Sequence, residues 1–323
     1  MAASEPRCSA DKARTCDDSV RLNRAYHLET QESPAGGVRR IALGRADKAL
    51  EELRRANQGD EVSAAVHRAR KQLKKLRAAL RLVRDHLGEA LYKKENNRYR
   101  DAARMLSATR DAEAKAETLE ALCERFGDAL PEGAVSVWRD ALEREAASAG
   151  EAVKEGKASP LPEAIEMVEK GRDRISAWPL QADSWALVDK GLTRTYRRGR
   201  RAMKRVADDP TAENLHEWRK RAKDLWHQLQ IVQNAWASAL VEVADRAHEL
   251  ADLLGDHHDL VILSADLTTR RLGGPAEGAL AGAISRRQEE HLAAALDLGS
   301  RLYAEKTKAF RRRMRRYWVA WRD

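Results

Sequence analysis

The chain repeats itself, and that repeat is what most limits how it can fold. The segment VHRARKQLKKLR at Val66–Arg77 aligns with LHEWRKRAKDLW at Leu215–Trp226, which places His67 and His216 149 residues apart. Further on, MLSATRD ending at Asp111 aligns with LLGDHHD ending at Asp259, an offset of 148. Two matches at nearly constant offset imply two copies of one structural unit. Each copy starts on a His-x-x-Arg-Lys segment and closes on a Leu-rich segment ending in Asp. We expect two similar helical bundles packed about a pseudo-twofold axis. The first repeat should span about residues 31–178 and the second about 179–320.

Both units should be helical. Charged residues make up 34% of the chain, Phe occurs only twice, and no segment alternates with period two. That combination disfavours strands and suits long helices with charged outer faces. Helical patterns are predicted at 38–57, 61–86, 90–126, 134–156, 162–176, 183–207, 212–236, 238–270 and 276–320, separated by Gly and Pro breaks. The fold class is therefore all-α. Residues 1–30 lack periodicity and are expected to form a flexible tail ahead of a domain over 31–320. Cys8, Cys16 and Cys123 form no CxxC pair, which points to free thiols rather than a zinc site or a disulfide framework. With no secretory or membrane-spanning apolar run, the protein is expected to be soluble and cytoplasmic.

The helices are strongly one-sided. At about 100° per residue, His67, Arg70, Lys71, Lys74, Arg77, Arg81 and Arg84 share an arc of roughly 140°. Val62, Val66, Ala69, Leu73, Leu76 and Leu80 occupy the other side. In the second repeat His216, Arg219, Lys220, Lys223, His227 and Gln230 share a face. The preceding helix aligns Lys190, Arg194, Arg197, Arg198, Arg201, Lys204 and Arg205. Near the end Arg301, Lys308, Arg312 and Arg315 align. Like charges at i,i+4 are mildly destabilising, so such stripes need a reason beyond stability.

The net charge of +9 is unevenly spread. Residues 38–111, 190–226 and 300–323 carry +10, +7 and +7, while the blocks between them, 112–189 and 227–299, carry −8 and −6. Folding could gather the three basic blocks into one polyanion site. Aromatic residues are too few to offer base-stacking platforms, and Trp218, Trp226 and Trp236 fall mostly on the apolar side of their helix, where core packing is expected. A phosphate-only polymer suits Arg and Lys without base-reading groups. A metal held by His67, His216 and the His257-His258-Asp259 cluster is imaginable, but the surrounding cations disfavour it, so no metal or cofactor is expected. Asp111 and Asp259 are expected to hold a motif Arg or His by charge-assisted hydrogen bonds. No nucleophile–base pair or Gly-rich phosphate loop is evident, and catalysis is not expected.

The duplicated His-x-x-Arg helix, the basic run behind it, the Leu-Gly-x-x-x-Asp-like segment and the opening QESPAGGVRRIALGR resemble the CHAD domain family over about residues 30–320. The resemblance implies two helical bundles around a basic central pore. It also implies binding of inorganic polyphosphate and association with polyphosphate granules. His67, Arg70, Lys74, Lys75 and Arg77 match the first motif helix, and His216, Arg219, Lys220 and Lys223 the second. Arg110-Asp111 matches the end of the third helix, with His258-Asp259 as its looser counterpart. Asp224 and Trp226 depart from the pattern where the first repeat has Lys75 and Arg77, and Ser107 stands where a glycine is expected. The expected polyphosphate-binding set is His67, Arg70, Lys71, Lys74, Lys75, Arg77, Arg104, Arg110, Arg194, Arg197, Arg198, Arg201, His216, Arg219, Lys220, Lys223, Lys308 and Arg312. Some family members carry a catalytic CYTH domain. Its Glu-x-Glu-x-Lys motif is absent here, so any polyphosphatase activity is expected from another protein. Expected partners are inorganic polyphosphate and polyphosphate-metabolising enzymes, with nucleic acid binding only weakly if at all and no membrane contact. A phosphohydrolase or a general nucleic-acid binder is the alternative.

Overall fold

Ser33 and Pro34 start the folded helices earlier than the periodicity alone suggests. The Ser33 side chain accepts from the Gly36 backbone N–H (3.1 Å), and Pro34 occupies the first turn. A computed structural model describes residues 25–106, 111–154, 159–270 and 274–323. Among these residues there is no strand. The helices are α1 (Pro34–Asn57), α2 (Val62–Leu82), a single turn α3 (Arg84–Leu87), α4 (Glu89–Met105), α5 (Asp111–Phe126), α6 (Glu132–Lys154), α7 (Leu161–Arg172), α8 (Ala186–Asp208), α9 (Ala212–Val232), α10 (Ala237–Arg270), α11 (Gly274–Leu302) and α12 (Thr307–Arg322). The two motif helices, α2 and α9, are both 21 residues long.

Two closed rings of four helices follow from the packing. In one, α1 meets α2, α2 meets α4, α4 meets α7, and α7 returns to α1. In the other, α8, α9, α10 and α11 close in the same way. α2 joins the rings by packing on both α8 and α9. The approach is close: a Cβ on Gly191 of α8 would collide with the backbone of Leu82 in α2. The apolar face of α2 is buried as its periodicity predicts, with Val66, Ala69, Leu73, Leu76 and Leu80 each at most 4% exposed. A single large core runs through both rings, from Leu28 to Trp318. A second, smaller core lies where α5 and α6 pack on the end of α10 and the start of α11, around Trp138, Leu263 and Leu280.

Several expectations needed correction. Residues 25–30 are not a loose tail: Leu28 is fully buried, its N–H donates to the Ile231 carbonyl (2.8 Å), and the Tyr26 hydroxyl donates to the Lys75 carbonyl (2.8 Å). Residues 1–24 lie outside the described residues. The helix expected over 276–320 breaks at residues 303–306, which contain neither Gly nor Pro. The cause is tertiary. Tyr303 packs on Gly199, Arg200 donates to the Tyr303 carbonyl (3.2 Å), and Tyr196 donates to the Glu305 carbonyl (3.0 Å). Together these contacts tie residues 303–305 to α8. Trp218 is fully buried as expected, but Trp236 is 49% exposed. It sits in a 3-10 turn beyond the end of α9, where helical spacing no longer assigns a face. Cys123 is a free thiol, and Cys8 and Cys16 lie outside the described residues.

Candidate functional site

The basic face of α2 opens onto a cavity of about 920 Å³ between the two cores. α2 contributes His67, Arg70, Lys71, Lys74 and Lys75; α9 contributes Arg219, Lys223, Trp226 and His227. α10 supplies His248, Asp252, Asp256, His258 and Asp259, α5 supplies Lys115 and Glu117, and α11 supplies Arg287 and His291. The lining thus holds eight Lys or Arg against four carboxylates. Two of those cations are already compensated: Lys115 bonds Asp266 (2.7 Å), and Arg287 bonds Glu290 (2.7 Å). Among the described residues, no ion pair ties Lys71, Lys75, Arg219 or Lys223 to a carboxylate within 4.0 Å.

Two of these cations are held at a cost. Burial pulls the Lys75 ammonium down to about 8, reinforced by repulsion from Arg45, Lys48 and Lys71. Lys223 falls to about 8 as well, through burial and the charge of Arg219, against the opposing pull of Asp252, Asp259 and Asp256. Tyr26 supports the first lysine, whose ammonium lies 5.0 Å from its ring centroid, with the Arg45 guanidinium 5.4 Å from the same centroid.

Arg219 links the two motifs of the second repeat. Its guanidinium lies against Gly255 of the LLGDHHD segment, where an added Cβ would meet the Nη2 atom at 3.1 Å. The glycine of one motif therefore leaves room for the arginine of the other. The buried Arg219 Nε has no hydrogen-bond partner. His216 packs beside His258 with ring centroids 5.0 Å apart. Burial, followed by the charges of Lys220 for His216 and of Arg219 for His258, among others, lowers both imidazoles. His227 is pushed down to about 3, again mainly by burial with Lys75 next.

Trp226 packs against the large core, as expected, and also lines the cavity. Its ring lies between His248 (3.6 Å, 21°) and His227 (4.2 Å, 29°). With both faces taken, it offers no platform for a nucleobase.

The expected site residues divide. His67, Arg70, Lys71, Lys74, Lys75, Arg219 and Lys223 share the cavity, with His216 beside it. Lys220 is exposed on α9. Arg77, Arg194 and Arg198 do not line the cavity: Arg77 donates to Asn96 (3.1 Å), Arg194 pairs with Asp85, and Arg198 lies 3.7 Å from Glu217 in a charge cluster with Arg221. Asp224 anchors that cluster by accepting from Arg81 of the first repeat (2.8 Å) and Arg221 (3.1 Å). This is the role of the residue that departs from the motif. Arg197 and Arg201 are exposed on α8 and Arg104 on α4, none of them lining the cavity. Lys308 and Arg312 line a separate groove. Arg110, Ser107 and the Asp111 side chain lie outside the described residues. Lys115, Arg287, His248 and His291 went unforeseen because they come from acidic blocks and from helices without a basic stripe. Asp259 faces the cavity as a charge near Lys223 and His258.

Among the described residues, no group of three or more His, Cys, Asp or Glu side chains is placed to hold a metal. No described helix is long and apolar enough to cross a membrane. A family model for the CHAD domain matches residues 42–268, more than two thirds of the chain. No curated protein gives a significant match.

Proposed function

The chain belongs to the CHAD domain family, and from that premise we propose that it binds inorganic polyphosphate in the cavity between α2, α9 and α10. The observation that carries the reading is the pair Lys75 and Lys223. Both are half-buried ammonium groups with no carboxylate ion pair among the described residues, and burial lowers each to about 8. An anion placed between them would relieve both penalties at once. The flanking Lys71, Arg70, Lys74 and Arg219 extend the same field over several phosphate units. Arg binds phosphate oxygens in pairs and Lys acts as a point charge, so the set suits a ligand that is phosphate along its whole length.

Binding should serve to target the protein to polyphosphate granules or to organise them, in concert with polyphosphate-metabolising enzymes. Catalysis is not part of the proposal: carboxylates line the cavity, but among the described residues no group of three or more His, Cys, Asp or Glu is placed to hold a metal for phosphoryl transfer. Titration calorimetry with polyphosphate of defined length tests the binding. Submicromolar affinity that weakens steeply with salt, with DNA and RNA far weaker, is the expected result. Equal affinity for heparin, RNA and polyphosphate would remove the specificity. Phosphate release on incubation with Mg²⁺ or Mn²⁺ would turn the reading toward a phosphohydrolase.

A further inference from the structure

α12 carries seven Lys or Arg residues in sixteen positions, and they are not used alike. Arg311 is spent on Asp189 (2.8 Å) and Arg313 on Glu305 (3.0 Å). Lys308, Arg312 and Arg315 are exposed, lie at i, i+4 and i+7 on one stripe, and form no ion pair with a carboxylate among the described residues. The helix N-terminus adds to the same sign. Lys306 precedes it without a side-chain cap, and its first turn contains no acidic residue. A positive helix end set among lysines is locally unfavourable and attracts a carboxylate.

These cations border a groove of about 1100 Å³ between α12 and the segment that leads into α8. The groove shares no residue with the cavity. Its walls differ in kind from the cavity's. Ala186, Ala309 and Val319, the last 42% exposed, form their apolar part over the buried Trp185 and Trp318, and Asp183, Asp189 and Asp323 line the groove beside the cations. A bare phosphate chain gains nothing from this aliphatic surface. A peptide with carboxylates on one face and apolar side chains on the other matches both the rim and the walls.

We infer that the α12 groove is a docking site for an acidic, amphipathic segment of a protein partner, separate from the polyanion cavity. The chain would then hold a polymer and a protein at the same time, on different helices. The docking itself does not depend on what fills the cavity.

The test uses the full chain and a fluorescein-labelled synthetic peptide of sixteen residues. Leu and Trp sit at helical i, i+3, i+4 and i+7 spacing, with Glu elsewhere. Fluorescence anisotropy should give micromolar affinity for the wild type. Arg312→Glu combined with Arg315→Glu should weaken it at least tenfold, and Val319→Asp should weaken it too, with circular dichroism unchanged. Lys75→Met with Lys223→Met should leave it intact. A scrambled peptide of equal charge but no apolar face should bind more weakly, and equal binding would overturn the amphipathic match. A second equivalent of polyphosphate per chain that Arg312→Glu with Arg315→Glu removes, alongside no peptide binding, would overturn the proposal in favour of a second polymer site. Absence of peptide binding altogether would also overturn it.

Discussion

Replacing Lys75 and Lys223 with methionine should make the protein more stable and unable to bind the proposed polyphosphate ligand. Methionine keeps most of the buried aliphatic stem and removes the charge. Burial lowers each ammonium from the usual lysine value of 10.5 to about 8. At about 1.4 kcal/mol per pH unit, the limiting penalty for the charged form is on the order of 3 kcal/mol per lysine. Both side chains retain contact with water, which reduces this to about 1–2 kcal/mol each. The two lysines act on a shared neighbour, His227, so the gains will not add fully. The double variant should gain about 2–3 kcal/mol, or roughly 4–8 °C in melting temperature at pH 7. Wild-type protein should gain about 2.7 kcal/mol when polyphosphate is present at a hundredfold excess over its Kd, and the variant almost none. The pH dependence has a fixed sign. A lysine with a lowered folded pKa leaves the unfolded chain holding more protons between about pH 8 and 10.5, so wild-type stability rises across that window. The variant should lose that rise. Differential scanning fluorimetry with and without polyphosphate, at pH 7 and pH 9, reads all of these quantities. A variant that melts below wild type, or that keeps the polyphosphate shift, would refute the argument that these lysines are strained for an anion.

Four further outcomes follow from the same contacts. Arg70→Glu with Lys74→Glu should abolish polyanion binding in calorimetry while helicity by circular dichroism stays intact; surviving binding would place the site elsewhere. Gly255→Ala should displace the Arg219 guanidinium by a few tenths of an ångström and weaken polyphosphate binding by about threefold, on the order of 0.7 kcal/mol, with little change in melting temperature. Asp266 accepts from Trp138 (2.9 Å) and Lys115 (2.7 Å) and also pairs with Arg270, so Asp266→Ala strands buried partners and should cost about 3 kcal/mol in urea unfolding. The lowered imidazoles of His227 and His291, at about 3 and about 4, mean that the unfolded chain takes up protons first as pH falls below 6.5. Stability should therefore decline from pH 6.5 toward pH 4, and a flat melting profile there would contradict their burial.

What the sequence determines by itself is the local part. Periodicity places the apolar and basic faces of α2 and α9, because each face is set by the 100° step of a single helix. The repeat offset pairs the two His-x-x-Arg motifs, and the basic stripe finds His67, Arg70, Lys71, Lys74, Arg219 and Lys223, which do share a cavity. Tertiary structure decides how far along each stripe the cavity reaches. Arg77 lies one turn or less beyond Lys74, yet it faces Asn96, while Arg81 beyond it is claimed by Asp224. Helical phase cannot report such partners, since they come from helices far away in the chain. For the same reason Lys115 and Arg287 enter the site from acidic blocks, and the cations of α12 do not enter it. The residues at 303–306 leave the helix without Gly or Pro because α8 holds them. A stripe of like charge records only which side chains share a helix face. Only the packing of helices from both repeats decides which of those charges are left without a carboxylate.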